Sequence, residues 1–269
     1  MTSHPATPSA GGPTTIAEPR PAHYARLLDQ ARRQGMPMPQ WQGAQALTLI
    51  EGLQAQAHGM ALREQVGDTL VGFKLAFTNA AMLARLGLGG PMLGLLTRSM
   101  ALADGAVLPR VLLNRPRAEP EIAFRMAGAV AHDASDAALL AGIAAVAPAI
   151  EIVDSRYRDF QFALPDAVAD NISSYAFVTG PWQAPGRELG GLAVELALDD
   201  VVVATGRSDA ILGHPLLALR AVLRLAKEAG REVREGAVVM AGAATDPVLL
   251  PVGTRVRVRV QGLGEAGLG

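Results

Sequence analysis

The stretch "RAEPEIAF", residues 117–124, sets Glu119 and Glu121 two positions apart in an otherwise apolar run, beside an arginine and a proline. On a β-strand alternate side chains share a face, so both carboxylates project from the same side. Like charges so placed repel and raise each other's pKa unless a cation lies between them. A shared divalent metal is one reading of the pair, and a solvated strand face is the other. Farther along, "AIEIVDSR", residues 149–156, brings a third carboxylate in a strand setting. Glu151 lies between Ile150 and Ile152 and therefore points away from both. Three oxygen ligands with positions left for water and substrate describe a Mg²⁺ or Mn²⁺ site, because hard cations favour carboxylates. Spacing alone keeps solvated strand faces, or salt bridges to Arg117 and Arg156, in play.

Around these stretches the pattern is α+β. "YARLLDQARRQG" (24–35) and "GAQALTLIEGLQAQAHGMALREQ" (43–65) carry apolar residues at helical spacing, the first ending at a glycine. "TLVGFKLAF" (69–77) reads as a buried strand, followed by a helix over 78–90 with a Thr or Asn cap. Strand-like segments then dominate, with helices expected near 134–146 and 214–229. "LALDDVVVA" (196–204) resembles a hairpin turning at Asp199-Asp200. The division this suggests is a disordered tail over 1–20, a helical region over 21–66 and a metal-binding catalytic domain over 67–269.

The 269 residues suffice for a substantial core, and half of them are hydrophobic. With 24 basic and 25 acidic residues and no basic run, the composition argues against nucleic acid as a partner. The absence of cysteine excludes disulfides, thiolate nucleophiles and zinc–thiolate sites. The first twenty residues are rich in Pro, Ser, Thr and Gly and lack an apolar signal core, and no apolar run spans a bilayer. A cytoplasmic protein without a membrane partner is the expectation.

"VGFKLAFTNAAMLARLG", "RPRAEPEIAF", "AIEIVDSRYRDFQFALPDAVADNISS" and "ILGHP" together resemble the hydratase/decarboxylase branch of the fumarylacetoacetate hydrolase superfamily, from about residue 65 to the end. The resemblance implies a mixed β-roll with a helical N-terminal region, assembled into homo-oligomers. It implies that Glu119, Glu121 and Glu151 are metal ligands for Mg²⁺ or Mn²⁺ and that Lys74 is the active-site lysine. Asp170, Asn171, Ser173 and Ser174 would line the pocket, with Asp170 and Ser173 in catalytic roles and Asn171 and Ser174 binding a small 2-oxo acid. The implied activity is hydration of a 2-hydroxydienoate in aromatic catabolism. A 2-oxo-enedioate decarboxylase is the alternative, then an acylpyruvate hydrolase or a non-catalytic relative.

Individual residues keep alternatives. Lys74 could hold the substrate carboxylate, move protons, or snorkel from a strand end. Arg156 could recognise substrate or form a structural ion pair with Asp154, and His214 reads as a helix cap. The family often has a lysine where this chain has Gln161, and the loop holding Met92 and Thr97-Arg98 also departs from its pattern. Arg98 or Arg207 could bind a second carboxylate, the group a decarboxylase needs.

Overall fold

The computed structural model describes residues 18–79, 83–84, 87–109 and 112–269. The tail expected over 1–20 falls outside them except for its last three positions, and the helix expected over 78–90 falls partly outside them. Helix α1, Arg20–Gln34, starts with Pro21 in its first turn, carries Arg32 and Arg33 against the negative end of its dipole, and closes on left-handed Gly35. Helix α2, Leu49–Gln65, opens on a capping box in which Thr48 and Glu51 satisfy each other's backbone N–H groups. That box breaks the single helix expected over 43–65. Gly43–Gln45 is a separate short turn, and Ala46 is extended.

Strands β1 (Leu70–Ala76), β2 (Met92–Thr97), β3 (Ala101–Leu102) and β4 (Arg117–Met126) follow. Helix α3 spans only Asp136–Ala141, capped by Ser135, and β5 (Ile143–Val153) starts immediately after Gly142. The helix expected near 134–146 is thus cut short, because Val146 pairs with Phe124 across the sheet and tertiary pairing overrides local propensity. Helix α4 (Leu164–Ala169), β6 (Ser174–Thr179), β7 (Ala193–Leu198), β8 (Val201–Arg207) and helix α5 (Pro215–Glu228) come next. The chain ends with β9 (Val238–Met240), β10 (Val248–Leu249), β11 (Val256–Val260) and β12 (Gly264–Leu268).

The larger sheet runs β2-β1-β9-β4-β5-β6-β3, with β10 beside β4, and the smaller runs β12-β11-β7-β8. The core lies between them, where Ile150 and Ile152 of β5 share a cluster with Val256 and Val258 of β11 and Leu196 of β7. Burying each such side chain stabilises by about 1.5–3 kcal/mol. Asp199 and Asp200 form the expected hairpin turn, at φ 45° and 69°. Helix α5 buries Ala218, Leu219, Val222 and Ala226 against the large sheet, and His214 caps it by accepting the Leu216 N–H at 3.1 Å. Helices α1 and α2 contribute Tyr24, Leu28 and Ala55 to a second cluster with Tyr157 and Ala169. No described helix is long and apolar enough to cross a membrane.

Candidate active site and metal centre

Pairing of β4 with β5 places Glu119 directly opposite Glu151, and Glu121 opposite Ala149. Strand alternation puts all three carboxylates on one face, and one oxygen from each lies within 4.8 Å of the others. Glu121 and Glu151 are fully buried, while Glu119 opens onto a cavity of about 550 Å³. Each buried carboxylate has one oxygen satisfied. Glu121 Oε2 accepts the Gly242 N–H at 2.7 Å, and Glu151 Oε1 accepts the Ser174 hydroxyl at 2.6 Å. The other oxygens, Glu121 Oε1 and Glu151 Oε2, are buried without a hydrogen-bond donor among the described residues. An orphaned buried acceptor costs about 1–3 kcal/mol, more when charged. Converging carboxylate lone pairs without donors are what a hard divalent cation requires.

The electrostatics agree. Burial, and then the neighbouring Glu151, push Glu119 up to about 7, against the opposing charges of Lys74 and Arg117. Burial, Glu151 and Glu119 drive Glu121 well above the usual carboxylate range, opposed by the Gly242 N–H and Lys74. A cation among them would remove the repulsion. Gly242 is needed for this geometry, since it sits at φ 109° and a Cβ there would lie 2.4 Å from Thr78 Cγ2.

Lys74 comes from β1 and is 1% exposed. Its stem lies over Gly94 of β2, where a Cβ would come within 2.7 Å of Lys74 Cε. Its ammonium donates to Ile172 O at 2.9 Å and sits 3.4 Å from Glu151 Oε2. The snorkelling reading does not hold, because the charged end points inward. Ile172 belongs to a run of left-handed residues, Asn171, Ile172 and Ser173, at φ 53°, 50° and 56°. Left-handed backbone costs about 1–2 kcal/mol per residue, and a β-branched residue bears it poorly. Asn171 locks the run by accepting the Leu95 N–H at 2.8 Å and donating to Leu95 O at 2.8 Å, while Ser173 O accepts the Asp154 N–H at 2.8 Å. The turn aims the Ile172 carbonyl at Lys74 and sets Ser173 on the cavity wall.

Lys74, Glu119 and Ser173 therefore line the cavity, and Ser174 stands behind Glu151. Asp170, Asn171 and Arg156 do not line it. Arg156 pairs through Nε with Asp170, and its Nη1 donates to Asp154 O at 2.6 Å and Ser174 O at 3.1 Å. Its carboxylate partner is thus Asp170 and not Asp154, whose own oxygens accept the Asn114 and Arg115 N–H groups. With its hydrogen bonds turned inward, Asn171 acts on the backbone, which differs from the substrate contact expected of it. Gln161, Arg98 and Arg207 stand off the cavity, whereas Arg117, Phe160 and Phe162 line it. Continuing the alternation of Glu119 and Glu121 back by two residues was the signal that could have found Arg117.

No protein-family model matches the chain. The sequence is 40% identical over 244 residues to a 4-oxalocrotonate decarboxylase of Pseudomonas sp, covering 91% of this chain and 95% of that one. The chain belongs to the hydratase/decarboxylase branch of the fumarylacetoacetate hydrolase superfamily. Within that branch it is also 36% identical over 209 residues to a 2-keto-4-pentenoate hydratase of Burkholderia vietnamiensis, covering 76% of this chain and 79% of the relative. Among solved structures, the 4-oxalocrotonate decarboxylase from Pseudomonas putida G7, complexed with magnesium and adipate, superposes with a TM-score of 0.86 at 28% identity, covering 93% of this chain and 96% of that one. A fumarylpyruvate hydrolase from Pseudomonas aeruginosa, at 16% identity and a TM-score of 0.57 over 75% of this chain and 88% of that one, shares the fold. The α+β roll expected of the branch is the fold observed.

Proposed function

We propose that this branch member is a divalent-metal-dependent hydro-lyase that adds water to a 2-hydroxydienoate or its 2-oxo-enoate tautomer, in aromatic catabolism. The carrying observation is the trio of Glu119, Glu121 and Glu151, with two oxygens that lack a hydrogen-bond donor among the described residues, beside a buried lysine, with Glu119 and Lys74 lining the cavity. Glu119, Glu121 and Glu151 would hold Mg²⁺ or Mn²⁺, which the donor set fits. When bound, such an ion supplies a Lewis acid for charge developing on the substrate's C2 oxygen.

The chain's own residues do the rest. Lys74 donates to Ile172 O and stands in ion-pair range of Glu151 at 3.4 Å, which leaves N–H groups for the cavity, where it binds the substrate carboxylate or shuttles a proton. Ser173 offers a hydroxyl beside it. Val153, Phe162 and Ala167 give the reacting chain an apolar wall that limits water to the position where it adds. Ser174 orients Glu151, and Asn171 and the Arg156–Asp170 pair support the turn that orients Lys74.

Decarboxylation of a 2-oxo-enedioate is the second reading, favoured by the 40% identity to a decarboxylase over nine-tenths of the chain. The same metal and lysine serve it, and only the far end of the cavity differs. An acylpyruvate hydrolase needs a water-activating base, and no histidine stands among the described residues lining the cavity. A homo-oligomer in the cytoplasm completes the proposal, and light scattering tests its assembly.

Ultraviolet assays with 2-hydroxypenta-2,4-dienoate and with 2-oxohex-3-enedioate, each with Mg²⁺ and with EDTA, decide the reaction. Metal-dependent loss of the dienoate absorbance supports the hydratase, and CO₂ release from the diacid alone replaces it with the decarboxylase. Turnover unaffected by EDTA would overturn the metal assignment.

A further inference from the structure

We propose that Arg117, seated on Phe160, is the receptor for a second carboxylate, so that the cavity is built for a 2-oxo-enedioate in preference to a 2-oxo monoacid. The inference deepens the reading of the site as a 2-oxo acid lyase and rests on it. It concerns which substrate is held, and applies equally to hydration and to decarboxylation.

Arg117 lies on the same face of β4 as Glu119 and Glu121 and lines the same cavity. Successive same-face residues on a strand are about 7 Å apart, comparable with the reach of a six-carbon diacid from its 2-oxo end to its far carboxylate. The guanidinium has no carboxylate within ion-pair distance among the described residues, and its aromatic contact is the Phe160 ring, with Cζ 4.3 Å from the centroid. A stacked guanidinium keeps its N–H edge free in plane, the geometry that grips a carboxylate with two parallel hydrogen bonds. Asp246 also lines the cavity, and no ion pair joins it to Arg117.

The platform is held against local preference. Asp159 and Phe160 are both left-handed, at φ 58° and 57°. Such backbone persists only where its surroundings fix it, and here the preceding segment is pinned by Met38, whose N–H donates to Arg156 O and whose carbonyl accepts the Arg158 N–H, both at 2.9 Å, across a bridge to Tyr157. The strained residue is the one whose ring lies under the guanidinium. Arg98 is exposed, and Arg207 is exposed beside Asp209 at 3.6 Å, so neither competes for the role.

The test is calorimetric titration of the full-length, Mg²⁺-loaded protein with 2-oxoadipate and with 2-oxohexanoate, which differ only in the distal carboxylate. The wild type is expected to bind the diacid about ten-fold tighter or more, the increment of a charge-assisted pair. Arg117→Met should bring that ratio close to one, and Arg117→Lys should retain part of it. Equal affinities in the wild type, or an undiminished ratio in Arg117→Met, would overturn the proposal. Weakened Mg²⁺ binding in Arg117→Met with the ratio intact would also overturn it, by showing that Arg117 only offsets Glu119. Should Arg117→Met fail to fold, Phe160→Leu takes its place, and an undiminished ratio there counts against the proposal in the same way. Binding of neither acid to the wild type would remove the 2-oxo acid reading itself, a failure distinct from equal binding of both.

Discussion

Two buried charged clusters lie within a few residues of each other and are finished differently. In the first, Arg156 and Asp170 are enclosed with every strong group engaged. The guanidinium meets Asp170, Asp154 O and Ser174 O, and the carboxylate also takes the Arg156 N–H at 3.0 Å and the Ser155 hydroxyl at 3.3 Å. In the second, Glu119, Glu121 and Glu151 face one another with a single lysine nearby and two oxygens without donors. Equal burial thus hides opposite purposes. A satisfied cluster is complete and braces the backbone, whereas an unsatisfied one stores a repulsion that a ligand relieves.

The contrast is most exposed by substitutions with opposite signs. Glu121→Gln should abolish measurable turnover and weaken Mg²⁺ binding by more than the roughly 100-fold that outer-sphere changes cost. Measured in EDTA at pH 8, the same variant should melt higher than the wild type, since it removes one buried like charge. Asp170→Asn should do the reverse and melt lower with or without metal, losing about 3–5 kcal/mol because it strands Arg156. A metal-free Glu121→Gln protein that melts lower than the wild type would break the comparison.

Lys74→Ala should lower kcat by about 10²–10⁴-fold, as expected for a proton-handling group, with a much smaller change in Mg²⁺ affinity by calorimetry. Gly94→Ala, which crowds the lysine stem, should reproduce part of that loss in steady-state assays while the fold persists by circular dichroism. An unaltered kcat there would separate Lys74 placement from Gly94.

A pH experiment sharpens the second cluster alone. Glu119 titrates near 4.5 unfolded and near 7 folded, so between these values the folded state holds the proton that the unfolded state has released. Stability of the metal-free protein should therefore fall as pH rises from about 4.5 to about 7, with Glu121, raised by burial and by the neighbouring Glu151 and Glu119, adding to the fall. Mg²⁺ should reverse it above pH 7. Thermal melts in EDTA and in Mg²⁺ at pH 5 and pH 8 read both effects. The smallest effect is expected from Ser174→Ala, about ten-fold in metal affinity, because it loses one hydrogen bond to Glu151 and no ligand.

Legibility followed the range of the interactions. Period-two alternation in "RAEPEIAF", the glycine after α1 and the Asp-Asp turn are properties of neighbouring residues and were readable, as was the resemblance to the branch. The helix expected near 134–146 is only Asp136–Ala141 because Ile143 and Val146 obey a partner strand, not their own propensity. Asp154 is the carboxylate nearest to Arg156 in sequence, and the fold supplies Asp170 instead. The sequence by itself determined that Glu119 and Glu121 share a face, that Glu151 lies in a similar setting, and which family the chain resembles. Only the tertiary structure decided that Glu119 stands opposite Glu151, that a left-handed turn at Ile172 fixes Lys74, and that Phe160 carries Arg117. Strand register and strained backbone are set by contacts between residues far apart along the chain, so no local pattern encodes them.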